Sequence, residues 1–336
     1  MTNSPLNTLT PEEREKAVHA TFPDWLTPML ATLTQRPFSH EDWIFERKFD
    51  GERCLAFRNS DRTCLMSRNR KELQHTYPEV AEVIAQQPPY DFVVDGEIVA
   101  FEGGLTSFGK LQNRMKLTNP ESARNSGIPV YYYVFDILYV DGYDITGMPL
   151  RQRKRLLRRS LDFRDPLRFT EHRNRDGEAF LQEVCPKGWE GIIAKDAGAA
   201  YVHKRSNKWL KLKCVKNQEV VIGGFTEPQG SRIGLGALLV GYYKNGSLNY
   251  AGKVGTGYDD QTLRDLRARL DRLEIQTPPF ATDHELPQRD IHWVEPKLVA
   301  QVKFTEWTED GKLRHPVYLG LRRDREATQV TREEAV

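Results

Sequence analysis

Hydrophobic and polar residues along this chain follow two different periods. Trp43–Phe49 and Glu52–Phe57 alternate around Asp50-Gly51, which predicts two strands joined by a tight turn. Phe92–Val99 and the Tyr- and Val-rich Val130–Tyr139 also read as strands. Leu150–Leu161 has apolar residues near helical spacing with a strongly basic opposite face. Glu190–Lys195 and Lys208–Lys213 are two further short strands. After Cys214 the texture changes. Val220–Phe225, Gly236–Tyr243, Leu248–Val254 and Leu298–Trp307 read as strands between Gly-rich turns, with one helix near Asp260–Leu273. Five or so short strands with one helix fit a small Greek-key barrel such as an OB-fold. The expected class is therefore α+β. It comprises an N-terminal extension (1–24), a domain of antiparallel sheets with helices (25–215) and a C-terminal barrel (216–336).

A length of 336 residues agrees with two domains. Hydrophobic residues at 39% and charged residues at 29% describe a soluble globular chain. Lys and Arg total 49 against 47 acids, so any nucleic-acid surface must come from local clustering. Arg151–Arg159 has six basic residues in nine, equally readable as a solvated helix face or as a backbone-binding surface. Cys54, Cys64, Cys185 and Cys214 form no C-x-x-C pair, which argues against a zinc ribbon and reads as reduced thiols. The polar N-terminus does not fit a signal peptide, and Val130–Val140 is too short to span a bilayer. A cytoplasmic protein with no membrane partner is expected.

Several segments combine residues suited to chemistry. Lys48-Phe49-Asp50-Gly51-Glu52-Arg53 would present an amine at a sheet rim, although Lys-x-Asp-Gly alone arises by chance in roughly one chain in ten of this size. Asp95 and Glu97 share a strand face, where two carboxylates repel unless a cation lies between them. The alternative is a strand end in solvent, which the otherwise very apolar strand disfavours. Glu190 and Lys195 bracket an apolar strand that could be plain core. In Lys208–Lys213 a period of two puts Leu210 and Leu212 on one face and Lys211 and Lys213 on the other, where an anion would relieve their repulsion. An exposed basic strand is the plainer reading. Phe135 could stack on a base or pack in the core.

Taken in order, these segments resemble the covalent nucleotidyltransferase superfamily and, within it, ATP-dependent DNA ligases. Lys48–Arg53 matches the nucleophile motif K-x-D-G-x-R, and Ser67-Arg68-Asn69 is similar to the next motif. Asp95-Gly96-Glu97, Phe135-Asp136, Glu190–Lys195 and Lys211-x-Lys213 follow in family order. Trp307–Gly311, Leu313–Pro316 and Leu319–Arg322 are similar to the OB domain of bacterial end-joining ligases. The resemblance covers about residues 25–326.

It implies ATP as co-substrate, Mg²⁺ or Mn²⁺, and AMP carried by Lys48. Arg53 and Glu97 would contact the ribose, Phe135 would stack on adenine, and Glu46 would hydrogen-bond the base. Glu190, with Glu97, would hold the metal. Lys211, Lys213 and Arg205 would grip phosphates, and Arg68 would take the nick 5′-phosphate. Arg322 and Arg325 would orient pyrophosphate, but the family's R-x-D-K reads Arg322-Arg323-Asp324-Arg325 here, which changes the donor geometry at the last position. Burial, the metal and the neighbouring lysines are expected to lower the pKa of Lys48. Implied partners are nicked double-stranded DNA, Ku and separate end-processing proteins, with the enzyme a monomer near the bacterial nucleoid. Rival readings are an RNA ligase, an mRNA-capping-type enzyme, and a non-catalytic DNA-binding protein on the same scaffold.

Overall fold

The computed structural model describes residues 4–60, 62–88, 90–214, 216–230, 232–281, 286–287 and 290–333. Position 215 and both chain ends of the expected domains lie outside these residues. The chain divides into two compact units after Cys214.

The first unit holds two sheets. In the first, Val18–His19, Tyr143–Asp144, Val130–Val140, Phe92–Glu102, Glu52–Asn59 and Arg62–Ser67 lie side by side, all antiparallel. Leu167–Phe169 adds to Val130–Val140 in parallel. The second sheet runs His172–Arg175, His40–Arg47, Gly191–Asp196, Arg205–Lys213 and Leu30–Leu33. Only its last pairing is parallel.

Both faces of the first sheet carry core residues. Cys54 and Ala56 point into a core closed by helices such as Pro78–Ala85 and Leu150–Ser160, with Val80, Ile84, Leu156 and Leu157. Leu55 and Phe57 point the other way, onto Met29, Tyr201 and Trp209. Behind the second sheet, helix Gly177–Val184 places Phe180 and Val184 on Phe45, Ile192 and Leu212.

Three expectations change here. The segments around Asp50-Gly51 are not a hairpin. His40–Arg47 belongs to the second sheet and Glu52–Asn59 to the first, so the intervening residues cross between sheets. Gly51 permits the crossing, because a Cβ there would lie 2.3 Å from the Ile98 carbonyl oxygen. Secondly, the N-terminal residues are built into the first unit. Leu6 and Leu9 enter its core, and Thr10 and Glu13 form a capping box on Pro11–Arg14. Thirdly, Cys185 and Cys214 are not free thiols. Their Cα atoms are 5.2 Å apart and the sulfurs are bonded, because Cys214 pairs through its N–H with the Glu190 carbonyl just beyond the helix that ends near Cys185.

In the second unit the strands Ser247–Val254, Leu238–Lys244, Asn217–Thr226, Val299–Lys303 and Val317–Arg322 are neighbours in that order. A parallel bridge from Thr256 to Val317 closes the ring. The long strand Asn217–Thr226 shifts register between Ile222 and Gly224, so its first half pairs with Val299–Lys303 and its second with Ile291–Val294. Helix Asp260–Leu270 connects the third barrel strand to the fourth and sends Leu263, Leu266 and Leu270 into the core. This is the five-stranded Greek-key plan of an OB-fold.

Candidate nucleotide-binding site

Register alone assembles the centre of the site. On the second sheet, Glu46 lies opposite Ile193 and Ile193 opposite Lys211. One step along, the Lys48 N–H donates to the Gly191 carbonyl at 2.9 Å, and Gly191 lies opposite Lys213. Directly opposed residues share a face. Lys48, Lys211 and Lys213 therefore face the same way as Glu46, and Gly191 contributes no side chain between Lys48 and Lys213. Gly191 also has φ +147°, and a Cβ would lie 2.0 Å from the Leu212 carbonyl oxygen. The leucines of that strand pack on the opposite face, as the alternation predicts.

Lys48 is largely buried and its Nζ lies 2.5 Å from Glu190 Oε1. Burial pulls the pKa of its ammonium down, but Glu190, with Asp50 and Glu97, outweighs burial and holds it above the ordinary lysine value. The expected lowering is thus reversed. The acid beside Lys48 keeps it charged.

On the first sheet Asp95 is fully buried and takes two hydrogen bonds of 2.5 Å from Arg53. Arg53 also donates to the Met29 carbonyl at 3.1 Å. Tyr201 donates to Asp95 at 2.6 Å and accepts from the Met29 N–H at 2.8 Å. The cation that reconciles Asp95 with Glu97 is the protein's own Arg53, which lies opposite Glu97 in the ladder. The Arg53 guanidinium sits 4.8 Å from the centre of the Phe135 ring.

Phe135 is buried edge-to-face against Trp209. Two lysines that carried no assigned role complete this wall. Lys195 Nζ is 4.1 Å from both ring centres and 2.6 Å from Glu46 Oε2. Lys154 takes the other carboxylate oxygen and donates to the Thr170 carbonyl at 3.0 Å. Glu46 is thus buried with a lysine on each oxygen. Burial raises its pKa, but Lys154 and Lys195 more than reverse this and hold it below the ordinary value. Burial, relieved by Glu46 and aggravated by Lys154, pulls Lys195 down to about 8.

The basic helix is correspondingly less bare than its sequence suggests. Arg153 is fully buried on Asp136, Arg155 pairs with Glu13 and Arg158 with Glu171. Lys154 looks like any other member of that basic run. Lys195 could have been found, since it ends the Glu190–Lys195 segment at a position facing Glu46.

Arg68 lies in the turn after Arg62–Ser67, which Ser67 closes by accepting from the Lys71 N–H. Arg205 is exposed and donates to the Ala31 carbonyl. In the second unit, Arg322 clamps Asp324 at 2.9 and 2.8 Å, and Arg325 Nε lies 2.6 Å from Glu219. Among the described residues no helix is long and apolar enough to cross a membrane.

A lysine on a crossover between two sheets, two further lysines on its face, a buried aromatic wall in the same unit and an OB barrel downstream together define the nucleotidyltransferase class. The family model for the ATP dependent DNA ligase domain matches residues 28–213, and that for the ATP dependent DNA ligase C terminal region matches residues 231–325. The chain belongs to the ATP-dependent DNA ligase family. It is 36% identical over 321 residues to the multifunctional non-homologous end joining protein LigD of Pseudomonas aeruginosa, covering 93% of this chain and 37% of that protein. Against the LigD of Mycobacterium tuberculosis it is 36% identical over 317 residues, covering 92% and 40%. The chain therefore spans less than half the length of these curated relatives. A solved structure of mycobacterial DNA ligase D complexed with ATP and MES superposes with a TM-score of 0.64 at 34% identity, covering 92% of this chain and 98% of that one.

Proposed function

We propose that this chain seals nicks between a 3′-hydroxyl and a 5′-phosphate in double-stranded DNA, using ATP, in end-joining repair. The observation that carries the reading is Lys48, on the crossover between the two sheets, paired with Glu190 and on the same face as Lys211 and Lys213.

The Lys48 amine would attack the α-phosphorus of ATP, forming lysyl-AMP and releasing pyrophosphate. The attack needs a free amine, which Lys211 and Lys213, on the same face, would favour by disfavouring the ammonium that Glu190 stabilises. The nick 5′-phosphate would then displace Lys48 from AMP, and the 3′-hydroxyl would displace AMP. Lys211 and Lys213, on the face of Lys48, would offset phosphate charge in each step. Phe135 would stack on adenine, Arg53 and Glu97 would reach the ribose, and Glu46 the base edge. Arg205 and Arg68 would take phosphates, the latter the nick 5′-phosphate. Arg322 and Arg325 would orient pyrophosphate.

Two carboxylates beside Lys48, Glu97 and Glu190, fit a hard divalent cation that keeps water and phosphate oxygens as its other ligands. When bound there, Mg²⁺ or Mn²⁺ would supply charge against the α-phosphate. Ku and separate end-processing proteins are the partners this reading implies, acting on a monomer in the cytoplasm.

Sealing tests it directly. A labelled nicked duplex incubated with the chain, ATP and Mg²⁺ should be joined, and Lys48→Ala should abolish joining. Transfer of GMP from GTP, or joining of RNA nicks alone, would refute the reading.

A further inference from the structure

The first sheet has a half-exposed aromatic face that the reading above does not use. Glu97 lies opposite Tyr133, and Val99 opposite Tyr131, so these side chains share a face with Phe101, four residues beyond Glu97. Tyr131, Tyr133 and Phe135 follow one another at alternate positions. Phe135 is buried against Trp209, and the two half-buried tyrosines continue the strip. Phe49, the residue after Lys48, lies tilted against Tyr133 with ring centres 4.2 Å apart. Phe101 lies edge-on to both tyrosines, at 5.6 and 6.2 Å.

Two guanidinium groups are set into this face. Arg168 lies 3.9 Å over the Tyr131 ring and donates to the Tyr133 hydroxyl at 2.9 Å, with Asp165 fixing its orientation. Arg47 sits among Trp189 (4.1 Å), Phe49 (5.3 Å) and Phe101 (5.7 Å). Its Nε and Nη2 are buried with no hydrogen-bond partner among the described residues. Ring faces hold this cation in place without using those donors, an arrangement that favours an arriving anion.

We infer that this face is a platform for the DNA strand end at the nick, with sugar and base on the Tyr131, Tyr133 and Phe101 rings and phosphate on Arg47 and Arg168. The inference rests on the ligase reading above. Phosphate matches the two cations, and the flat rings match sugar and base without regard to sequence. The face also begins one residue from the nucleophile, where a strand end must arrive to take AMP from Lys48.

The test uses the full chain with Tyr131→Ala and Arg168→Ala combined. AMP loading from ATP, which needs no DNA, is read by mass. Nick affinity is read by fluorescence anisotropy, and single-turnover sealing is read with preloaded enzyme. Loading should stay within about twofold of wild type, while nick affinity and sealing fall about tenfold or more, the scale of losing one stacked ring. The conservative pair Tyr131→Phe with Arg168→Lys should recover most of the affinity. Equal affinity and sealing in wild type and the alanine variant would overturn the platform and leave the ligase reading intact. Parallel loss of loading and thermal stability would assign the face a packing role and also overturn it. A wild-type chain that neither binds nor seals a nick would overturn the ligase reading and the platform with it.

Discussion

Replacing Lys195 by Met should stabilise the protein near neutral pH, although it removes an ion pair. Glu46, Lys154 and Lys195 form a buried triad with two cations for one anion. The excess charge falls on Lys195, whose pKa is pulled from the ordinary 10.5 down to about 8. The unfolded chain therefore binds more protons than the folded one between about pH 8 and 10.5. A lysine depressed in this way opposes folding fully below the lower value, is relieved as pH rises through the window, and contributes nothing above it. Its cost at pH 7 is about 2.5 pH units at 1.36 kcal/mol each, or about 3 kcal/mol. The Phe135 and Trp209 faces return about 0.5–2 kcal/mol to the charged form, which leaves a gain of about 1–3 kcal/mol for an apolar side chain of similar length. Urea unfolding of wild type and Lys195→Met at several values from pH 7 to 10 isolates the effect as their difference. The variant should be more stable at pH 7, and its advantage should shrink toward pH 10. A variant destabilised by several kcal/mol at pH 7, or a difference that does not change with pH, would refute this account of the triad.

Other substitutions test the rest of the site. Asp95→Asn leaves Arg53 buried without its counter-charge and should cost about 3–5 kcal/mol in urea unfolding, with Tyr201 unable to compensate. Cys185→Ser opens a loop spanning a sequence separation of 29 and should cost about 3–4 kcal/mol, while peptide mapping of the oxidised wild type should recover the Cys185–Cys214 pair. Glu190→Gln removes the main group holding Lys48 above its ordinary pKa. Competitive labelling of Lys48 with an amine reagent, without ATP or metal, should therefore show its reactivity rising at lower pH than in wild type.

Much of this was legible in the sequence because the informative patterns are local. A period of two in Lys208–Lys213 fixes which side chains share a face, whatever sheet the strand joins. The same alternation around Asp50-Gly51 does not say which sheet each strand enters, so a crossover reads as a hairpin. The difference lies in the Ile98 carbonyl packed on Gly51, a contact between residues far apart in sequence. Burial of a charge is likewise a property of its partner. Lys154 and Arg153 are distinguished from the other basic residues of their helix only by Glu46 and Asp136 beneath them. The raised pKa of Lys48 depends on its distance to Glu190, and the disulfide on two strand and helix ends meeting, which no spacing rule specifies.

The central claim is that Lys48 carries AMP. Intact-mass measurement after incubation with ATP and Mg²⁺ tests it most directly, with peptide mapping to locate the adduct. The expected result is a gain of one AMP on Lys48, absent in Lys48→Ala and released when nicked DNA is added. An adduct on another residue, an adduct that persists in Lys48→Ala, or no adduct under conditions in which the chain seals nicks, would contradict it.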